Sequence, residues 1–253
     1  MENNYFSVII PALNEELYIE NCLKSLVNQD YLGQYEIIVV DNGSVDQTAV
    51  IAARYGAKVE REPEKGISNA LIKGCTRASG NVLAFTDADT VIPENWLSQM
   101  NEIFNSNIDT VATGGTYLFY DKGFLPQVFF NKFINRFVLN IFKTIIYPRY
   151  PTLPCSNMAV RQEFYQKVGG FDTKSKWGQE IDLCKKLAKF GQVRFDKKLV
   201  VYTSFRRFSG EHNNEIIAFV RSVRELLVHV CRGLIVHLSN KPLQAQIEIR
   251  KKY

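Results

Sequence analysis

Apolar residues alternate along this chain between two rhythms: short unbroken runs rich in Val and Ile, and longer stretches in which apolar positions recur every third or fourth residue. Residues 6–10 form a run of the first kind, ended by Pro11, whereas 17–27 sets Ile19, Cys22, Leu23, Leu26 and Val27 on one helical face. The first spacing predicts a strand covered on both faces, the second an amphipathic helix. The pair then recurs. Residues 36–40 read as a buried strand, 47–55 as a helix with Ser44 or Asp46 near its N-cap, and 57–61 as a weaker strand. Residues 67–78 place Leu71, Cys75 and Ala78 at helical spacing, Gly80-Asn81 breaks the helix, and 82–85 is a fourth strand. Pro93 opens a further helix with Leu97, Met100 and Phe104 inward.

This alternation predicts a mostly parallel central sheet flanked by helices, with ligands in the crevice beyond the carboxyl ends of the strands. Residues 11–15 follow the first strand, Asp41 the second and 87–89 the fourth, so three separated segments can meet at one pocket.

Composition narrows the class. A chain of 253 residues, 46% hydrophobic and 23% charged, suits one large α/β domain with appendages rather than a disordered or repetitive protein. Cys22, Cys75, Cys155, Cys184 and Cys231 are scattered and form no metal-ligand spacing, which predicts reduced thiols in a cytoplasmic protein. Residues 1–7 carry Glu2 and asparagines where a secretory signal would carry basic residues and an apolar run. The net charge of +5 suits phosphates or an anionic surface. Nucleic acid is not expected as a partner, because the basic residues are mixed with acidic ones and form no patch interleaved with aromatics.

Asp87 and Asp89, two positions apart after an apolar strand, bring carboxylates to the mouth of the sheet. Hard oxygen ligands there suit Mg²⁺ or Mn²⁺ held against a diphosphate, with the metal as Lewis acid. By itself an Asp-x-Asp also describes turn residues or helix caps, and Asp41 and Asp46 equally suit an Asx-turn and a cap.

Three runs decide between these readings: Ser-Val-Ile-Ile-Pro-Ala-Leu-Asn-Glu-Glu over 7–16, Glu-Ile-Ile-Val-Val-Asp-Asn-Gly-Ser-Val-Asp-Gln-Thr over 36–48, and the segment 66–89. In this order they resemble family 2 glycosyltransferases of the GT-A fold. The resemblance resumes at 155–161, 169–172 and 177–183, and spans roughly 6–208. It implies a single GT-A domain over 1–210, with 1–115 binding the nucleotide and 116–210 the acceptor, followed by a C-terminal amphipathic helical extension over 211–253. The activity it implies is a metal-dependent, inverting transfer of a sugar from a nucleotide diphosphate to an acceptor hydroxyl. By the same resemblance Pro11, Leu13 and Glu15 line the nucleoside pocket, Asp41 hydrogen-bonds the base and Asn69 lies near the diphosphate. Asp87 contacts the ribose or the metal, Ala88 completes the donor-binding segment, and Asp89 is the principal protein ligand of the metal, Mn²⁺ or Mg²⁺.

Transfer needs a base for the acceptor hydroxyl, and a sheltered carboxylate suits that role. In the family the base is the second residue of a Glu-Asp pair opening a helix. Here the pair reads Gln179-Glu180, and Asp182 follows as a second candidate. An apolar stripe of Leu183, Leu187 and Phe190 predicts a helix from Gly178 with both acids in its first turn, where either would also complement the helix dipole. Ser68 stands where many relatives carry an arginine. Arg206 and Arg207 are the candidates to replace it, since a guanidinium fork matches phosphate oxygens. His212 falls where some GT-A enzymes place a metal-binding histidine.

Two readings compete with transfer. A nucleotidylyltransferase would show a Gly-rich loop after the first strand, which residues 11–15 lack. A non-catalytic nucleotide-sugar-binding or partner-binding member is suggested by the altered Gln179-Glu180 pair. Residues 124–147 and 215–238 pattern as amphipathic helices with basic residues set against large apolar ones. They suit core packing, a homodimer interface or peripheral contact with the inner face of the membrane, where a lipid-linked acceptor would lie. Lys132, Arg136 and Lys143 argue against a spanning helix in the first stretch.

Overall fold

The computed structural model describes residues 3–121, 152–173 and 178–206. The stretches 124–147 and 215–238, Trp177, Arg207, His212 and the extension over 211–253 lie outside the described residues.

The first half follows the predicted alternation. Strands β1 (Phe6–Ala12), β2 (Tyr35–Asp41), β3 (Lys58–Arg61) and β4 (Val82–Phe85) are parallel, and between and after them run α1 (Ile19–Val27), α2 (Thr48–Arg54), α3 (Ile67–Arg77) and α4 (Trp96–Ser106). The second half adds β5 (Thr90–Val91), β6 (Thr110–Phe119), β7 (Met158–Arg161), α5 (Gln162–Lys167), α6 (Gln179–Leu187) and β8 (Gln192–Thr203). Among the described residues, eight strands form one sheet in the order β3-β2-β1-β4-β7-β6-β8-β5, in which β7 and β5 run antiparallel to their neighbours. The result is a mixed α/β domain with a mostly parallel central sheet between helices, as the alternation predicts.

Unbroken apolar runs in the strands reflect burial on both faces. Phe6, Val8 and Ile10 of β1 and Val82 and Ala84 of β4 pack toward α1, α2 and α4, with Ile19, Leu23, Ala52, Trp96 and Met100. The alternate residues Ile9, Leu83 and Phe85 pack the other way, against Leu71 of α3, Tyr165 of α5 and Leu183 and Leu187 of α6. Two expected core positions are corrected. Val27 is 43% exposed at the last residue of α1, and Phe190 is 42% exposed because α6 ends at Leu187, before the stripe reaches it.

The sheet order also sets the site. From β1 the chain moves outward to β2 and β3, then returns to place β4 on the other side of β1. Connections leave in opposite directions at β1 and β4, which opens a crevice above their carboxyl ends. Farther along, β6 and β8 approach so closely that a Cβ on Gly115 would meet the Leu199 carbonyl oxygen at 1.8 Å. Only glycine allows that contact.

Candidate active site

The loops after β1 and β2 are tied together by hydrogen bonds. Asn14 adopts φ +56°, a left-handed conformation that asparagine tolerates better than most residues. Its N–H donates to Ser44 Oγ at 2.9 Å, and its Oδ1 accepts from the Val45 N–H at 2.9 Å. The Glu15 N–H donates to Thr48 Oγ1 at 2.8 Å, and the Glu16 N–H to Asp46 Oδ2 at 3.1 Å. Asp41, buried at the end of β2, makes the Asx-turn by accepting from the Ser44 N–H at 2.9 Å, while Asp46, one residue before the N-cap Gln47, accepts from the Thr48 N–H at 3.0 Å. Pro11 is half-buried on this rim and Leu13 is 41% exposed. Asn42 extends the lacing, donating to the Glu62 and Glu64 carbonyls and accepting from the Gly66 N–H at 2.7 Å. That fixes the entry to α3, whose first turn carries Asn69, donating to the Glu64 carbonyl at 3.3 Å.

Above β4, Asp87 is half-buried and Ala88 and Asp89 are buried. Asp89 Oδ2 accepts from Arg206 Nε at 3.0 Å, and its Oδ1 from Thr203 Oγ1 at 3.3 Å. The same guanidinium pairs through Nη2 with Glu15 Oε2 and lies 4.2 Å from the centre of the Tyr18 ring. One arginine therefore joins the loop after β1 to the loop after β4. Its own segment is anchored where the Ser204 hydroxyl and the Phe205 N–H donate to Asp121, and where the Phe205 ring meets Phe119 edge-on at 4.8 Å. Burial, then the charges of Asp89, Asp87 and Glu15, push the Cys22 thiol far up.

Glu180 lies in the other half of the chain, in the first turn of α6. Gly178, at φ +70°, turns the backbone into α6, and its carbonyl accepts from the Ile181 and Asp182 N–H groups at 3.0 and 3.2 Å. Burial pushes the Glu180 carboxyl above the usual range; its own N–H opposes this, and the negative charge of Asp87 adds to it. Tyr117 and Cys155 are raised by burial first and then by both Glu180 and Asp87, so these four groups share one neighbourhood. Asp182 sits differently. It is 39% exposed and paired with Lys186 one turn on at 2.7 Å.

Tyr18, Thr203 and Asp121, which hold or shape the Arg206 bridge, went unmarked in the sequence. They carry no spacing signal, because each acts through a partner far along the chain. Arg206 itself, expected against phosphate, stands on carboxylates here. As for a metal, among the described residues no three of His, Cys, Asp and Glu converge as a self-sufficient ion site. Asp87 and Asp89 nonetheless offer hard oxygen donors on one loop, a partial set of the kind Mg²⁺ and Mn²⁺ accept when phosphate oxygens and water complete the shell. The residues fit such an ion in that restricted sense.

Known proteins resemble this chain in sequence and in fold. Glycosyltransferase AglE of Haloferax volcanii is 28% identical over 201 residues, covering 74% of this chain and 62% of that protein, so the chain spans less than two thirds of this relative. Mannosyltransferase PcManGT from Pyrobaculum calidifontis, solved in complex with GDP-Man and Mn²⁺, superposes with a TM-score of 0.64 at 18% identity, covering 100% of this chain and 80% of that one. S. aureus TarS 1–349 in complex with UDP-GlcNAc gives 0.63 at 20% identity, covering 92% and 71%. At these identities the two structures establish the GT-A fold. The model of the family described as Glycosyl transferase family 2 matches residues 7–169, and the chain belongs to that family.

Proposed function

We propose that this chain transfers a sugar from a nucleotide diphosphate to an acceptor hydroxyl, with inversion at the anomeric carbon and Glu180 as the base. The observation that carries this reading is the shared neighbourhood of Glu180 and the Asp-x-Asp loop: Asp87 raises the Glu180 carboxyl, while Asp89 is tied to Glu15 through Arg206. A raised carboxyl is the better proton acceptor, because its affinity for a proton lies nearer that of its target at neutral pH.

Pro11 and Leu13 form the apolar wall for the nucleoside, and Asp41 and Glu15 its polar edge, while Asn69 stands near the diphosphate in the first turn of α3. Arg206 holds its guanidinium where phosphate oxygens can take over from the carboxylates. A divalent ion bound by Asp87 and Asp89 would neutralise charge on the departing diphosphate. Glu180 accepts the acceptor's proton as that oxygen bonds the anomeric carbon and the bond to the diphosphate breaks, its electron pair leaving with the nucleotide. The pairing with Lys186 at 2.7 Å favours Glu180 over Asp182, because the Asp182 carboxylate is already engaged away from an incoming acceptor.

The acceptor is proposed to be lipid-linked and met at a membrane surface, on the basic and apolar patterning of 124–147 and 215–238. No helix among the described residues is long and apolar enough to cross a membrane. Thermal shift with a panel of nucleotide sugars, with and without Mn²⁺, tests the donor half of the proposal. One nucleotide diphosphate is expected to stabilise the chain only with the metal, and Asp89→Asn to lose the effect. Equal metal-dependent shifts in both proteins would remove Asp89 from its role.

A further inference from the structure

Ser68 and Gln179 are 111 positions apart, each 6% exposed, and the Ser68 hydroxyl donates to the side-chain amide oxygen of Gln179. Each marks a departure from the family pattern, serine for arginine and glutamine for glutamate, and the fold brings the two departures into contact. Ser68 lies in the first turn of α3, one residue before Asn69, and Gln179 is the first residue of α6, one before Glu180. Both helices pack on the same face of the sheet, through Leu71 and Cys75 on one side and Leu183 and Leu187 on the other.

A helix's first turn has amides without intrahelical partners, and a capping side chain normally holds it. At α6 the cap is Gly178, and no side-chain cap bond is made there. The buried amide of Gln179 ties this turn to α3. Resting on the transferase reading above, we propose that the Ser68–Gln179 hydrogen bond is a positioning device that fixes the first turn of α6, and with it the Glu180 carboxylate, to the donor-facing turn of α3. A neutral pair does this without the desolvation cost of a buried ion pair, and without a third carboxylate beside Glu180 and Asp87.

The test uses the full chain with Ser68→Ala, Ser68→Thr, Gln179→Leu and the double variant Ser68→Ala/Gln179→Leu. Without ligand, Ser68→Ala should speed hydrogen exchange of the Ile181 and Asp182 amides about three- to tenfold, as expected for loss of one buried hydrogen bond. Gln179→Leu should match it, the double variant should go no further, and Ser68→Thr, which keeps the hydroxyl, should stay within about twofold of wild type. In hydrolysis of UDP-GlcNAc and GDP-mannose with Mn²⁺, kcat should fall about tenfold with KM changed less than about twofold, because the donor's own contacts are untouched. Unchanged exchange in Ser68→Ala, or single effects that multiply in the double variant, would overturn the tether. Faster exchange with unchanged kcat would overturn its positioning role. A wild-type protein that binds and hydrolyses none of the panel of nucleotide sugars would sink the transferase reading instead, while the exchange measurement still decides whether the two helices are tied.

Discussion

Arg206 meets two carboxylates that have little water around them: side-chain exposure is 8% for Glu15 and 2% for Asp89, against 28% for the arginine. Removing the cation would leave both charges desolvated, and that penalty outweighs the net worth of the pairs. Arg206→Met should therefore lose about 3 kcal/mol of unfolding free energy in urea at neutral pH. Mn²⁺ should raise the melting temperature of the variant more than that of wild type, since another cation can then serve Asp89. Wild-type stability in the variant would mean that the bridge does not form in solution. The sequence offered Arg206 as a phosphate ligand because guanidinium geometry suits phosphate and carboxylate alike. Which of them it meets depends on Glu15 and Asp89, one of them 191 positions away.

Among the elements, the short 3₁₀ turn Cys155–Asn157 before β7 ties α4, β6 and β8 together. Asn157 is fully buried, and its amide is saturated by three different elements. Its Oδ1 accepts from Trp96 Nε1 of α4 at 2.8 Å, and its Nδ2 donates to the Thr116 carbonyl of β6 at 2.8 Å and the Leu199 carbonyl of β8 at 2.9 Å. Asn157→Ala leaves one donor and two acceptors buried, and should cost about 3 kcal/mol in urea unfolding at roughly 1 kcal/mol per bond. Asn157→Asp should be worse, because a carboxylate would face two carbonyl oxygens. A change below about 1 kcal/mol in the alanine variant would show that water replaces the amide. The resemblance marks this segment, but no periodicity does. Helices and strands announce themselves through repeating burial, whereas a turn held by one amide has no repeat to read.

For the molecule as a whole, two glutamates near opposite ends of the strands titrate in opposite senses. Glu36, near the amino end of β2, is pushed up by burial, but hydrogen bonds from Lys58, Ser7 and the Ser79 N–H together hold its carboxyl below the usual range. Its stabilisation is present above the unfolded-state pKa and is lost as pH falls through the folded value. The Glu180 carboxyl is raised by burial and by Asp87, so its contribution is full below the unfolded pKa and is lost as pH rises through the folded value. With an ordinary glutamate near about 4.3, Glu180→Gln should be more stable than wild type at pH 7 and equal to it at pH 3. Glu36→Gln should be less stable at pH 7, with the gap closing on acidification. Urea unfolding at both pH values checks the pair, and a Glu180→Gln protein no more stable than wild type at pH 7 would mean that the carboxylate is solvated. The same variant should lose about 10²- to 10⁴-fold in turnover while retaining donor binding. A charged carboxylate is thus stabilising at Glu36 and destabilising at Glu180.

The sequence by itself determined the alternation of strands and helices, the two-faced burial of the sheet and the strand ends that carry Asp41, Asp87 and Asp89, because burial periodicity and turn chemistry are local properties. Tertiary structure alone decided that Arg206 spans Glu15 and Asp89, that Lys186 occupies Asp182 while Glu180 faces Asp87, and that Ser68 meets Gln179. Each of these depends on which strand ends become neighbours and how deeply a side chain is desolvated. Such distances and dielectric surroundings arise only when distant segments pack.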